Sequence, residues 1–208
     1  CDVYIGIPFC TTRCAYCSFS SGEIGDGRLV EPYLAALLHE IEACAEMARE
    51  MGLHIRVGYI GGGTPSSLTT PQLDRLLAHV ERHFGALAEF TVEAGRPDTL
   101  DAQKLRMLRD HPVTRISINP QTMNDATLTR IGRAHTAKQT VEAYELARSI
   151  GFDDINMDVI AALPGEDYAM FAHTLAEIRR LRPESLTVHT LAIKRSSKLH
   201  EEKYAQAE

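Results

Sequence analysis

No apolar run in this chain of 208 residues is long enough to cross a bilayer, and no stretch of it reads as a secretory leader. A basic run is missing too, and a net charge of −6 denies the chain the electrostatic footprint of a nucleic-acid binder. Low-complexity segments and short internal repeats are likewise absent. These absences, with 44% hydrophobic and 24% charged residues, leave an ordinary globular protein, expected in the cytoplasm and without membrane insertion. The length allows one large domain or two small ones, and the pattern below favours one core domain over 1–208. The chain begins inside a strand-like run and ends on a charged stretch, 201–208, so it is expected to be a piece of a longer protein lacking an N-terminal region and a C-terminal domain.

Five cysteines in a chain of this size, with no leader, fit a disulfide framework poorly. Three of them stand as Cys10-x3-Cys14-x2-Cys17, directly after the apolar run Val3 to Ile7. Soft thiolates at that spacing can converge from one short loop, which suits an iron–sulfur cluster. A structural zinc site would want a fourth Cys or His close by. The next candidates, His39 and Cys44, lie beyond a Gly-rich stretch on an expected helix. Three cysteines on a four-iron cubane leave one iron open, and an open iron is a place for chemistry. Cys44 falls on the stripe Leu37, Ile41, Cys44, Ala48 and is expected in the core.

Strand-like runs fall near 2–7, 55–61, 88–94, 113–119, 154–161 and 185–192, with helical periodicity near 30–51, 71–84, 101–110, 137–150 and 167–181. Gly52, Gly85 and Gly151 stand where helices end, Thr70-Pro71 reads as N-cap and N1, and Thr136 with Gln139 as a capping box. Such alternation means a parallel α/β sheet. The expected architecture is a partial (β/α)6 TIM-like barrel, with an open doubly wound sheet as the alternative. Parallel strands covered on both faces should be apolar throughout. Here one side-chain parity is polar: Thr91 and Glu93, Ser117 and Asn119, Asn156 and Asp158, Thr187 and His189. Residues two apart share a face, so these strands give one polar wall around a lumen suited to a large polar ligand.

Gly61-Gly62-Gly63-Thr64-Pro65 ends the second strand and would let the backbone approach a ligand closely. It is not a phosphate loop, because no Lys follows, and it lacks dinucleotide-fingerprint spacing. Tyr4 to Phe19 (YIGIPFCTTRCAYCSF) with this turn resembles the radical S-adenosylmethionine superfamily. Val92 to Pro97, Ile116 to Met123, Ile131 to Thr136, Asn156 to Pro164 and Ser185 to Lys194 resemble oxygen-independent coproporphyrinogen III oxidase, in its coproporphyrinogen dehydrogenase branch.

The resemblance implies a 4Fe–4S cluster on Cys10, Cys14 and Cys17, whose open iron binds S-adenosylmethionine. Tyr4, Gly62 and Glu93 match positions that contact that cofactor. Tyr16, Gly63, Thr64, Gln121, Arg133, Asp158 and Ala192 match a second S-adenosylmethionine site, so one or two molecules are expected. It further implies a tetrapyrrole substrate, an electron donor such as a flavodoxin or ferredoxin, and oxidative decarboxylation of propionates to vinyl groups through a 5′-deoxyadenosyl radical. No residue is assigned as an acid or base: His135 and His189 are the candidate proton donors, His135 reads rather as a rim hydrogen-bonding residue, and neither is taken as catalytic. Arg13, Arg96, Arg133, Lys194 and Arg195 are rim cations suited to substrate carboxylates. Two departures stand out: Ala162 replaces the usual Gly before Leu163-Pro164, and Asn119-Pro120-Gln121 replaces a Gly-Val-Gln pattern. Alternatives remain in a haem chaperone of the same family, another radical reaction such as methyl transfer, and a zinc or disulfide structural module.

Overall fold

A computed structural model describes residues 1–202; 203–208, the rest of the charged stretch, lie outside the described residues. Strand β1 (Asp2–Ile7) leads into two two-residue strands, β2 (Phe9–Cys10) and β3 (Gly22–Glu23), which pair and bracket the cysteine loop. Then follow α1 (Val30–Glu50), β4 (Val57–Gly62), α2 (Thr70–Phe84), β5 (Glu89–Glu93), α3 (Ala102–Asp110) and β6 (Arg115–Ser117). After these come α4 (Asp125–Arg130), α5 (Ala137–Ile150), β7 (Ile155–Ala161), α6 (Tyr168–Leu181), β8 (Ser185–Thr190) and α7 (Lys198–Glu201).

Six strands form one parallel sheet in the order β1-β4-β5-β6-β7-β8. A doubly wound sheet reverses its strand order at a switch point. This sheet never reverses, so it is the expected partial barrel.

Local chemistry explains the helix ends. Thr69 and Gln72 form a capping box that starts α2 one residue before the expected cap, and Thr136 with Gln139 starts α5 as expected. Gly52, Gly85 and Gly151 all take positive φ. The main core packs the apolar faces of α1, α2, α3 and α5 against the sheet, around Leu34, Leu76, Phe90, Ile116 and Ile155. Cys44 is a correction: it is exposed, and the buried stripe of α1 runs Leu34, Leu37, Ile41, Ala45. Residues four apart nearly superimpose on a helix face, whereas three apart lie about 60° off, and the core sits on the side of Ala45.

The turn after β7 carries Ala162 at φ 62. A Cβ in the left-handed region costs roughly 1–2 kcal/mol. Replacing it with glycine returns roughly 0.4–1 kcal/mol of that to the freer unfolded chain. Ala162→Gly is therefore expected to stabilise the protein by about 0.5–1 kcal/mol, read as a higher urea midpoint at unchanged slope.

Candidate active site

The glycine turn after β4 clamps the base of the cysteine loop. Gly63 N donates to Ile7 O at 2.7 Å and Thr64 N to Phe9 O at 2.7 Å. A Cβ added at Gly63 would stand 2.6 Å from Phe9 O and 3.0 Å from Cys10 Sγ. Gly62, at φ 106, would place one 2.9 Å from Ile7 O. These glycines serve a close backbone approach. From that clamp the loop runs out and returns: Thr12 Oγ1 donates to Gly132 O at 2.9 Å, Ala15 N to Ile131 O at 2.9 Å, and Cys17 N to Cys14 O at 3.1 Å.

Cys10 and Cys14 are buried, Cys17 is half-buried, and all three are free thiols facing one cavity of about 490 Å³. That volume lies in the range of small-molecule sites. Among the described residues no three His, Cys, Asp or Glu side chains converge to cage a single ion. In a cubane each cysteine takes its own iron, so three free cysteines lining one cavity suit a cluster.

The register across the sheet builds the polar wall. Tyr4 pairs with Tyr59, Tyr59 with Thr91, Glu93 with Ser117, Ser117 with Asn156, and Asp158 with Thr187, so these side chains share one face. Glu93, Asn119, Asn156, Asp158, Thr187 and His189 line the cavity, while Thr91 and Ser117 are buried beneath it. Tyr16, Gly62, Gly63, Thr64, Gln121, Arg133 and Ala192 line it too. Tyr4 does not; it is exposed and stacks on Tyr59 with ring centroids 5.8 Å apart.

Tyr59 is the residue that sequence reading missed. Its hydroxyl donates to Glu93 Oε1 at 2.6 Å. Its signal was the parity shared with Tyr4 and Thr91, hidden because the residues two away on β4, Val57 and Gly61, carry no polar side chain.

Burial first, then the Glu93 charge, push Tyr59 far above the ordinary phenol range, so it remains a donor. Glu93 is raised by burial and by nearby Asp158, while the Tyr59 hydrogen bond pulls the other way. Asp158 accepts from Asn156 Nδ2 at 2.8 Å. Tyr16 Oη accepts from Arg133 Nη2 at 3.1 Å, and desolvation raises the phenol. Desolvation works against the Arg133 charge, but Tyr16 and Cys14 outweigh it and hold the guanidinium protonated.

Four buried polar atoms of cavity-lining side chains have no partner among the described residues: Arg13 Nε, Asn119 Oδ1, Gln121 Oε1 and Arg133 Nε. Buried polar groups are nearly always satisfied, so these fit a polar ligand. Gln121 is held at φ 68 by a bridge to β7, its N–H donating to Asp158 O and its carbonyl accepting from Ile160 N.

The expected rim cations divide. Lys194 is exposed and lines the cavity, and Arg13 lines it while donating to Ser196 O at 2.7 Å. Arg195 is exposed outside the lining. Arg96 lines the cavity too, but buried, with its guanidinium turned onto Thr12 and Cys14 of the cysteine loop rather than exposed at the rim. His135 is corrected as well: it is buried outside the cavity lining, against Pro120 O at 3.3 Å and Asp98 at 3.7 Å. The methyl of Ala162 also lies outside the lining and crowds no ligand there.

Residues 4–178 match the Radical SAM superfamily. The chain belongs to that superfamily. Membership implies a 4Fe–4S cluster and S-adenosylmethionine, which the sulfur donors and polar wall fit. Among curated radical SAM relatives, the oxygen-independent coproporphyrinogen-III oxidase-like protein HemZ of Bacillus subtilis (strain 168) is 45% identical over 207 residues, covering 98% of this chain and 41% of HemZ. The heme chaperone HemW of the same organism is 37% identical over 195 residues, covering 92% of this chain and 50% of HemW. The solved structure of coproporphyrinogen III oxidase (HemN) from Escherichia coli, a radical SAM enzyme, superposes with a TM-score of 0.84 at 30% identity, covering 92% of this chain and 44% of that one. The chain thus spans between two-fifths and a half of the lengths of these relatives. Among the described residues no helix is long and apolar enough to cross a membrane.

Proposed function

We propose that this chain is the radical SAM core of an oxygen-independent coproporphyrinogen III oxidase, converting propionate side chains to vinyl groups and yielding protoporphyrinogen IX. The observation that carries the reading is one cavity shared by three free cysteines and a polar sheet face, in a chain similar to HemZ and HemN.

Cys10, Cys14 and Cys17 would hold the cluster, and Gly62 and Glu93 would contact the S-adenosylmethionine bound to it. Tyr16, Gly63, Thr64, Gln121, Arg133, Asp158 and Ala192 form the place for a second molecule. When bound, the cluster and cofactor supply one-electron reductive cleavage and a hydrogen-abstracting radical. The protein's own tasks are to orient, to exclude water and to place the reacting carbon. Glu93 offers a carboxylate, fixed by Tyr59, to a cofactor ammonium, and Tyr4 supports Tyr59 through the ring stack. Lys194 and Arg13 stand where substrate carboxylates would enter. A flavodoxin or ferredoxin is the class of electron donor for cofactor cleavage; once a propionate hydrogen is abstracted and carbon dioxide leaves, the one electron left over goes to a separate one-electron acceptor.

The similarity to HemW favours a second reading, a haem chaperone that keeps the cluster without oxidase turnover. Anaerobic reconstitution of the intact protein with iron and sulfide separates the two. The oxidase reading expects 5′-deoxyadenosine and vinyl product from coproporphyrinogen III. Tight haem binding by absorbance, with no porphyrinogen consumed, would replace it with the chaperone. Cofactor cleavage that spares porphyrinogen would point to another radical reaction, such as methyl transfer.

A further inference from the structure

Arg96 is 2% exposed, and arginine is almost never buried that far without a counter-charge. Its side-chain hydrogen bonds go, among the described residues, to no carboxylate. Nη1 donates to Thr12 Oγ1 at 2.7 Å, and Nη2 donates to Thr12 O and to Cys14 Sγ, the latter at 3.2 Å. Asp98 feels the Arg96 charge but faces His135 instead. The backbone fixes this aim. Gly95 passes under the Asn119 amide, where an added Cβ would lie 3.3 Å from Nδ2. Pro97 then opens a short turn closed by Thr99 N donating to Arg96 O at 3.0 Å.

A buried charge whose carboxylate neighbour, Asp98, makes no ion pair with it remains only partly compensated, and an uncompensated buried charge costs several kcal/mol. The group that can neutralise this one is the sulfur cluster itself, since thiolate ligands and sulfide give it net negative charge. We propose that Arg96 is a positioning residue of the cluster: it pins the Thr12–Cys14 segment and sets a positive charge beside the Cys14 sulfur, raising the cluster's reduction potential. The sign follows from charge. A cation favours the more negative, reduced state, and hydrogen bonds to cluster sulfurs act in the same direction. Coupling is reciprocal, so the cluster in turn stabilises the buried guanidinium.

This rests on the cluster assignment above, and the test keeps the two apart. The intact protein and its Arg96→Gln and Arg96→Lys variants are reconstituted anaerobically, then assayed for iron and sulfide per chain and for midpoint potential by redox titration of the cluster signal. Wild-type protein that binds no iron defeats the cluster assignment before any variant is compared. With iron bound, Arg96→Gln is expected to lower the reduced-to-oxidised ratio at fixed poise about tenfold, equivalent to about 59 mV for a one-electron couple. Arg96→Lys, which keeps the charge, is expected to restore most of that ratio. An iron-replete Arg96→Gln protein with the wild-type potential would overturn the proposal. If Arg96→Gln does not fold, Arg96→Lys decides alone: a potential near wild type supports the role, and a tenfold fall despite the retained charge rejects it.

Discussion

Cys14→Ala is expected to yield a colourless protein that makes no 5′-deoxyadenosine above background. Cys14 is buried at the turn of the loop, between Cys17 N and the Arg96 guanidinium, so no neighbouring side chain can swing in to replace its sulfur. Losing even an outer-shell partner of a metal ligand typically costs about 10–100-fold, and losing the ligand itself should exceed that. The fold should survive, because the change deletes one sulfur at the mouth of a cavity, within about 1 kcal/mol. Far-UV circular dichroism therefore remains native while bound iron and absorbance fall away. Cys44→Ala provides the control. Its side chain is exposed on α1, and iron, colour and cofactor cleavage should be unchanged. Retained iron and full cleavage in Cys14→Ala would remove the foundation of the proposed chemistry.

The contrast between Cys14 and Cys44 shows what a sequence discloses here. The cysteine loop was legible because its spacing is short, local and tied to one chemistry. The polar lumen was legible because a period-2 alternation survives in β5, β7 and β8, where register then carries it across the sheet. The strand β6 was overlong as expected from sequence, since pairing stops at Ser117 and resumes only as a bridge at Gln121. The two-residue strands around the loop and the six-residue α4 are too short to display any period. Arg96 was legible in part. A charged residue on a loop at a strand end reads as a cavity cation, which it is, but only the inward turn after Gly95 shows it buried against Thr12 and Cys14. Tyr59 was hidden because Val57 and Gly61, its same-face neighbours on β4, carry no polar side chain and so erase the alternation that marks the other strands.

Tyr59 and Glu93 carry the second large effect, on cofactor affinity and its pH dependence. Glu93→Gln would remove the proposed charge-assisted contact with the cofactor, worth roughly 1.5–3 kcal/mol, which should weaken S-adenosylmethionine binding by about 10–100-fold. The wild-type pH profile follows from the Glu93 environment. Its carboxyl is raised above the ordinary value of 4.5, by burial first and by Asp158 as well, against the opposing hydrogen bond from Tyr59. The anionic form is therefore lost, as pH falls, at a higher pH than for an exposed carboxylate, and affinity declines with it. Tyr59→Phe removes the donor that favours the anion, so the Glu93 pKa rises further and the decline begins at still higher pH. Equilibrium binding of S-adenosylmethionine to reconstituted protein, over roughly pH 5 to 8, measures both effects. In Glu93→Gln the group that titrates is gone, so this part of the profile should flatten. A persistent slope in that variant, or wild-type affinity, would take Glu93 out of the cofactor contact and leave Tyr59 as a packing residue against Tyr4.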